Sequence, residues 1–238
     1  LDGMTFDEKT TIKLNADTTL TSNAVLTVKT IDMGNYSMGL GSATTDLTIA
    51  GNLTINPSNA QTGGFDTGTA DLTLNGPLTV TTGGLKSTGG TLKFGAGANG
   101  TSFAANTGLR LNNTLLALET DLEIYFLQLS GTSTLQTNGK KLSPTYLNLG
   151  IATELDFTDI ETDSESSVFL YANTAIKKNA AILLKQISLQ GNTLTLNPSI
   201  TSLTAENIYL TDNNPNSPNY LANTGKLVAQ GVDVKSTK

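Results

Sequence analysis

Short runs in which apolar and polar residues alternate recur along nearly the whole chain at an almost constant interval. Each run holds an apolar-any-apolar triplet, the mark of a strand with one buried face. The triplets begin at Leu26, Leu47, Leu72, Leu92, Leu109, Leu127, Leu147, Val168, Ile187, Ile208 and Leu227. Their first residues lie 21, 25, 20, 17, 18, 20, 21, 19, 21 and 19 positions apart, a mean of about 20. A period of this length is that of a solenoid, in which each repeat is one turn stacked on the last.

Two segments repeat more closely. Asp46-Leu-Thr-Ile-Ala-Gly-Asn-Leu-Thr-Ile55 and Asp71-Leu-Thr-Leu-Asn-Gly-Pro-Leu-Thr-Val80 lie 25 residues apart, and each holds two triplets joined by a glycine-containing corner. One coil therefore carries at least two strands, and the second strand recurs at Leu135, Leu155 and Leu194. Antiparallel sandwiches also show closely spaced short strands, but hairpins give no reason for a strand to resemble the one about 20 residues before it. The pattern predicts an all-β, single-domain parallel β-helix of about eleven coils of roughly 20 residues, with regular coils over 11–234 and inward ladders of Leu, Ile and Val. At about 4.8 Å per coil, that stack would be a rod of about 50 Å. The Asn- and Pro-rich segment 212–220 breaks the strand pattern and is expected to protrude as a loop.

Composition agrees. The 238 residues include 40 Thr, 23 Asn and 23 Gly but few strong helix formers, a balance that favours strands and tight turns. A net charge of -6 and a single arginine, Arg110, leave no basic face for nucleic-acid phosphates or an anionic membrane surface. No stretch approaches the roughly 20 apolar residues of a membrane-spanning helix. Cysteine is absent, so there is no disulfide framework, and the start at Leu1 fits either a processed chain or a segment of a longer one. Low charge with abundant Thr and Asn points to an extracellular or cell-surface location.

Ile187-Ser-Leu-Gln-Gly-Asn-Thr-Leu-Thr-Leu-Asn197 and the two Asp-Leu-Thr blocks resemble right-handed parallel β-helix surface proteins of the adhesin and autotransporter-passenger type. The resemblance covers nearly the whole chain through its coil pattern and implies a secreted or surface-displayed fibre. The expected function is non-enzymatic, structural or adhesive. Expected partners are other copies docked end to end in a filament, a longer parent chain, or a surface polysaccharide. The alternative from another class is a carbohydrate-binding or polysaccharide-cleaving β-helix.

Absence of His and Cys removes the usual Ser-His-Asp and Cys-His nucleophile systems and the usual zinc sites. The Asn-Thr-Asp, Asp-Asp, Gly-His-Gly and Arg-Ile-Lys motifs of pectin hydrolases do not occur. A lyase would need carboxylates holding calcium beside an arginine or lysine. The triplet series places Lys93 and Gln128 one coil either side of Arg110, and neither is a calcium ligand. No catalytic residue is assigned.

Three other features carry candidate chemistry. Asp156, Asp159, Glu161, Asp163 and Glu165 form the densest acidic stretch and the first four are candidate calcium ligands, although the glycine of an EF-hand-type or RTX-type loop is missing and a solvated acidic loop is the competing reading. Calcium is the one cofactor considered. Thr27, Thr48 and Thr73 form an outward threonine ladder of the kind used to bind ice, but Lys93 interrupts it, and Thr is also a strand former. Phe169 and Tyr209 fall two coils apart on one face, with Ser188 between them and Tyr171 nearby. Rings separated by about 10 Å suit stacking on alternate sugars of an extended polysaccharide, which makes Phe169, Tyr171 and Tyr209 candidate ligand contacts.

Overall fold

A computed structural model describes residues 6–21, 25–58, 64–211 and 225–237. The predicted loop 212–220 lies outside the described residues. The fold is all-β, with parallel sheets stacked as a β-solenoid of about nine turns. A single 3-10 turn, Ala96–Ala98, is the helical element among the described residues. The contacts resolve two compact units, Leu1–Tyr125 with Thr132–Leu142, and Phe126–Gly131 with Ser143–Lys238.

In the first unit the turns through Leu115–Leu118 have three strands each, one on each of three sheets. The first face is built from Thr11–Lys13, Thr30–Asp32, Leu53–Ile55, Leu78–Val80 and Ser102–Phe103. The second holds Thr18–Leu20, Met38–Leu40, Phe65–Asp66, Gly84–Ser87 and Gly108–Asn112. The third holds Leu26–Val28, Asp46–Ile49, Asp71–Leu74, Thr91–Phe94, Leu115–Leu118 and Thr134–Gln136. The 25-residue repeat is a full three-sided turn, because Asp46, Leu47, Thr48 and Ile49 pair with Asp71, Leu72, Thr73 and Leu74, and Leu53 with Leu78. The corner between them needs glycine at each level. A Cβ on Gly76 would run into the carbonyl oxygen of Gly51, and one on Gly51 would sit 2.7 Å from that of Lys29.

The second unit has two faces. Ser167–Leu170, Ile182–Ser188, Ser202–Tyr209 and Asp233–Ser236 stack on one, and Glu154–Asp156, Thr174–Lys177, Thr193–Leu196 and Lys226–Val228 on the other. Its long strands turn a corner, and the register of Ile182–Ser188 on Ser202–Tyr209 skips Lys185 and Glu206 there. In Ile182–Ser188 the alternation slips at Lys185 and Gln186, two successive residues that are both kept from the core. Ser202–Tyr209 does the same at Glu206 and Asn207.

The triplet series therefore does not follow one ladder. From Leu26 to Leu92 it climbs the third face, but Leu92 pairs with Leu116, whereas Leu109 pairs with Leu85 on the second face. Leu227 belongs to yet another sheet, paired with Leu194. The triplet series thus mixes strands of three sheets, and the stack has about nine turns where eleven coils were expected. The inward assignment holds from Leu26 to Leu189, with every triplet apolar position buried. It fails afterwards: Ile208 is half-buried and Leu210 is 41% exposed. Asp233–Ser236 covers only Ser202 to Ala205, so no described strand stacks over positions 208–210.

Leu72 and Leu189 are fully buried. Replacing either with Asp buries a charge without a partner and is expected to lower the unfolding free energy by about 4 kcal/mol or more. Equilibrium urea denaturation measures the loss, and a change below about 1 kcal/mol would contradict the inward ladder.

Candidate functional site

The aromatic positions come together on the long-strand face of the second unit. Asn148 pairs with Phe169, Phe169 with Ser188, and Ser188 with Tyr209, so the two rings stand two rungs apart, as expected. Both are half-buried rather than fully exposed. Between them Ser188 is wholly buried, and its Oγ finds no hydrogen-bond partner among the described residues. The surface there is consequently a closed patch and not two rings flanking an open notch. Tyr171 follows the end of its strand, with its amide donating to the Leu149 carbonyl at 2.7 Å, and the residue is 56% exposed.

Sequence reasoning missed Tyr146. It pairs with Ser167, diagonal to Phe169, and its ring stacks on Phe169 with centroids 6.3 Å apart and an interplanar angle of 23°. Diagonal neighbours on a sheet lie within reach of aromatic side chains. Strict alternation hides this residue, because Thr145 and Tyr146 are successive outward positions at the corner of Leu142–Gly150. A break in the two-residue period is the signal that would have found it.

The acidic stretch is dispersed among turns and lysines. Asp156 pairs with Lys177 across the ladder, with 3.5 Å between their charged atoms, and its Oδ1 accepts from the amide and hydroxyl of Thr158 at 2.9 and 2.6 Å. Partial burial opposes its ionisation, but Thr158 and Lys177 together hold the carboxyl below its usual range. Asp163 Oδ1 accepts from the Glu165 amide at 2.9 Å and from the amide and hydroxyl of Ser166, each at 3.0 Å. The Glu165 amide above all holds its carboxyl below the usual range. Asp159 and Glu161 act on Lys178, whose ammonium donates to the Ile160 carbonyl at 2.6 Å. Burial lowers the Lys178 pKa, and the two carboxylates partly restore it. Among the described residues no group of three or more carboxylates is arranged to hold a metal ion.

The threonine column is real in register, Thr27 on Thr48 on Thr73, with Lys93 next. Arg110 needs a correction. Its ladder neighbour is Lys86, followed by Asp66, and not Lys93, which lies on the third face. A carboxylate thus stands two rungs from the only arginine of the chain, 44 residues away in sequence. The triplet series could not show this, because it crossed from one face to another between Leu92 and Leu109.

Two measurements probe these assignments. Ser188→Ala removes a buried hydroxyl without a partner and is expected to leave stability unchanged or raise it by about 1 kcal/mol, whereas a loss of that size would reveal a hydrogen bond. Asp163 has a depressed folded pKa, so its contribution is present above the ordinary carboxylate value of about 3.9 and fades as pH falls through the folded value. Asp163→Ala is expected to destabilise the protein by up to about 1 kcal/mol at neutral pH, given solvent screening, with the difference from wild type closing in strong acid. Thermal melts across pH 2 to 7 check this. Comparison with family models, with curated proteins and with solved structures finds no significant match.

Proposed function

We propose that the chain is a non-enzymatic, extracellular structural or adhesive β-solenoid whose outward faces make its contacts. The observation that carries this reading is the aromatic patch: Tyr146 stacked on Phe169, with Tyr209 two rungs along the Phe169 ladder. Parallel strands fix these rings in place before any partner arrives, so little ordering entropy is lost on contact. Aromatic faces about 10 Å apart match alternate sugars of an extended polysaccharide. Other outward positions carry threonines, such as Thr27, Thr48 and Thr73, and ion pairs between successive turns, such as Lys13 with Asp32 and Asp66 with Lys86. Exposed pairs of this type contribute about 0 to 1 kcal/mol each, and their ladder positions favour the correct register.

Cleavage of the same polysaccharide is the alternative, and one experiment separates the two. The intact chain is incubated with insoluble chitin and cellulose. Retention is expected on at least one, with no new reducing ends and no unsaturated product. A Phe169→Ala, Tyr209→Ala double variant is expected to lose at least tenfold in retention. The half-buried rings lose part of their burial as well as about 0.5–1.5 kcal/mol of stacking, so its melting temperature should fall by several degrees while the chain stays folded. Soluble products would make the protein an enzyme, and retention unaffected by the double variant would remove the aromatic patch from the reading. Docking of copies or of a longer parent chain end to end belongs to the same proposal. Light scattering over a concentration series is expected to show mass rising above 24.8 kDa.

A further inference from the structure

A second surface, separate from the aromatic patch, lies on the second face of the first unit. A groove of about 480 Å³ crosses five successive strands there, a size within the range of about 300–1,000 Å³ usual for small-ligand sites. One side is the outward ladder Thr19, Gly39, Asp66, Lys86, Arg110. The other side is floored by glycine backbone at Gly64 and Gly84.

The glycines are not equivalent. A Cβ on Gly64 would strike the Gly84 carbonyl, and one on Gly84 would lie 2.7 Å from that of Gly108, so close approach of successive turns requires both. Gly39 has no such reason. It sits in the middle of Met38–Leu40, and the nearest atoms to a Cβ would be Thr19 Oγ1 at 3.7 Å and the Asp66 carbonyl at 3.9 Å, which is ordinary contact. Glycine inside a strand costs about 0.5–1 kcal/mol relative to alanine. Where the protein itself leaves room for a side chain, such a glycine marks a place that another molecule approaches closely.

The charges break a second rule. Like charges directly opposite on a sheet are destabilising, yet Lys86 and Arg110 are ladder partners. Lys86 Nζ donates to Asp66 Oδ2 at 2.8 Å, and Asp66 Oδ1 accepts from the Gly68 amide at 2.9 Å. Arg110 folds over the glycine floor, with one guanidinium nitrogen 3.2 Å from where a Gly84 Cβ would be. Two cations on adjacent rungs at one end of a groove, even with one of them paired to Asp66, suit an anion. The planar guanidinium fork matches a carboxylate in particular. Toward the other end stand Asp17, Thr19 and Ser37, with Asp17 Oδ1 accepting from the Ser37 amide at 2.8 Å. Hydroxyls and carboxylates are the partners of sugar hydroxyl groups.

We infer that this groove binds a carboxylate-bearing sugar, with the acid group on Arg110 and Lys86, the ring over Gly39 and Gly84, and hydroxyls directed to Asp66 and Asp17. The reading is independent of the aromatic patch, which lies in the other unit.

Three sugars differing only at C6 test it on the intact chain by amide NMR titration: D-glucuronate, D-glucose and D-glucose 6-sulfate. Glucuronate is expected to shift the amides of Gly39 and Gly84 with saturation, and to bind at least tenfold more tightly than either of the others. Arg110→Lys should weaken it at least tenfold by losing the fork. Gly39→Thr should abolish binding while leaving the melting temperature unchanged or higher. The inference is overturned if glucuronate leaves the groove amides unmoved, if the three sugars bind alike, or if the sulfate binds best. Undiminished binding by Gly39→Thr would also overturn it. A Gly39→Thr chain that melts well below wild type would do so too, by showing that the position has no room to spare.

Discussion

Every feature described here depends on the backbone hydrogen-bond ladder that sets each residue of a turn over its counterpart in the next, about 4.8 Å away. Burial, charge and shape must all be compatible with that stacking. Leucines tolerate it best, as in the column Leu47, Leu72, Leu92, Leu116. Charges are best accommodated by alternation of sign, and Lys13 over Asp32, Asp66 beside Lys86 and Asp156 beside Lys177 meet that condition, whereas Lys86 beside Arg110 does not. Asp46 over Asp71 does not, and there Asp71 Oδ1 accepts from the Thr91 amide one turn on.

The two units apply the same constraint to different perimeters. Three short strands with glycine corners make a turn of up to 25 residues in the first unit. In the second, one long strand rounds a corner by letting two successive residues point away from the core, so fewer residues close the turn. That slip of phase brings Tyr146 beside Phe169. The aromatic patch is thus a by-product of how a corner is made without a glycine.

The fold was legible in the sequence because burial alternates with a period of two inside strands and stacking repeats every turn. The Asp46 and Asp71 blocks carried both periods at once, and residues 25 positions apart in them pair in the structure. Which sheet a strand joins was not legible. Leu92, Leu109 and Leu227 begin triplets of the same form but belong to three different sheets. A triplet records that one face of a strand is buried, and carries no mark of which side of the turn it occupies. The candidate sites inherited this limit. Phe169 and Tyr209 were placed on a shared ladder because the series stayed on one sheet between them, whereas Asp66, Lys86 and Arg110 were separated because it did not.

The equivalence of the Asp46 and Asp71 blocks has a consequence at the level of the gene. Each turn rests only on its two neighbours, so the stack tolerates gain or loss of a whole turn far better than a single-residue insertion within a strand, which would flip side chains between core and solvent. Two adjacent segments that encode nearly the same turn are also the segments most easily misaligned during recombination. Chain length in descendants of this sequence is therefore free to drift in steps of one complete turn, with the intervening faces and the surfaces they carry transmitted intact.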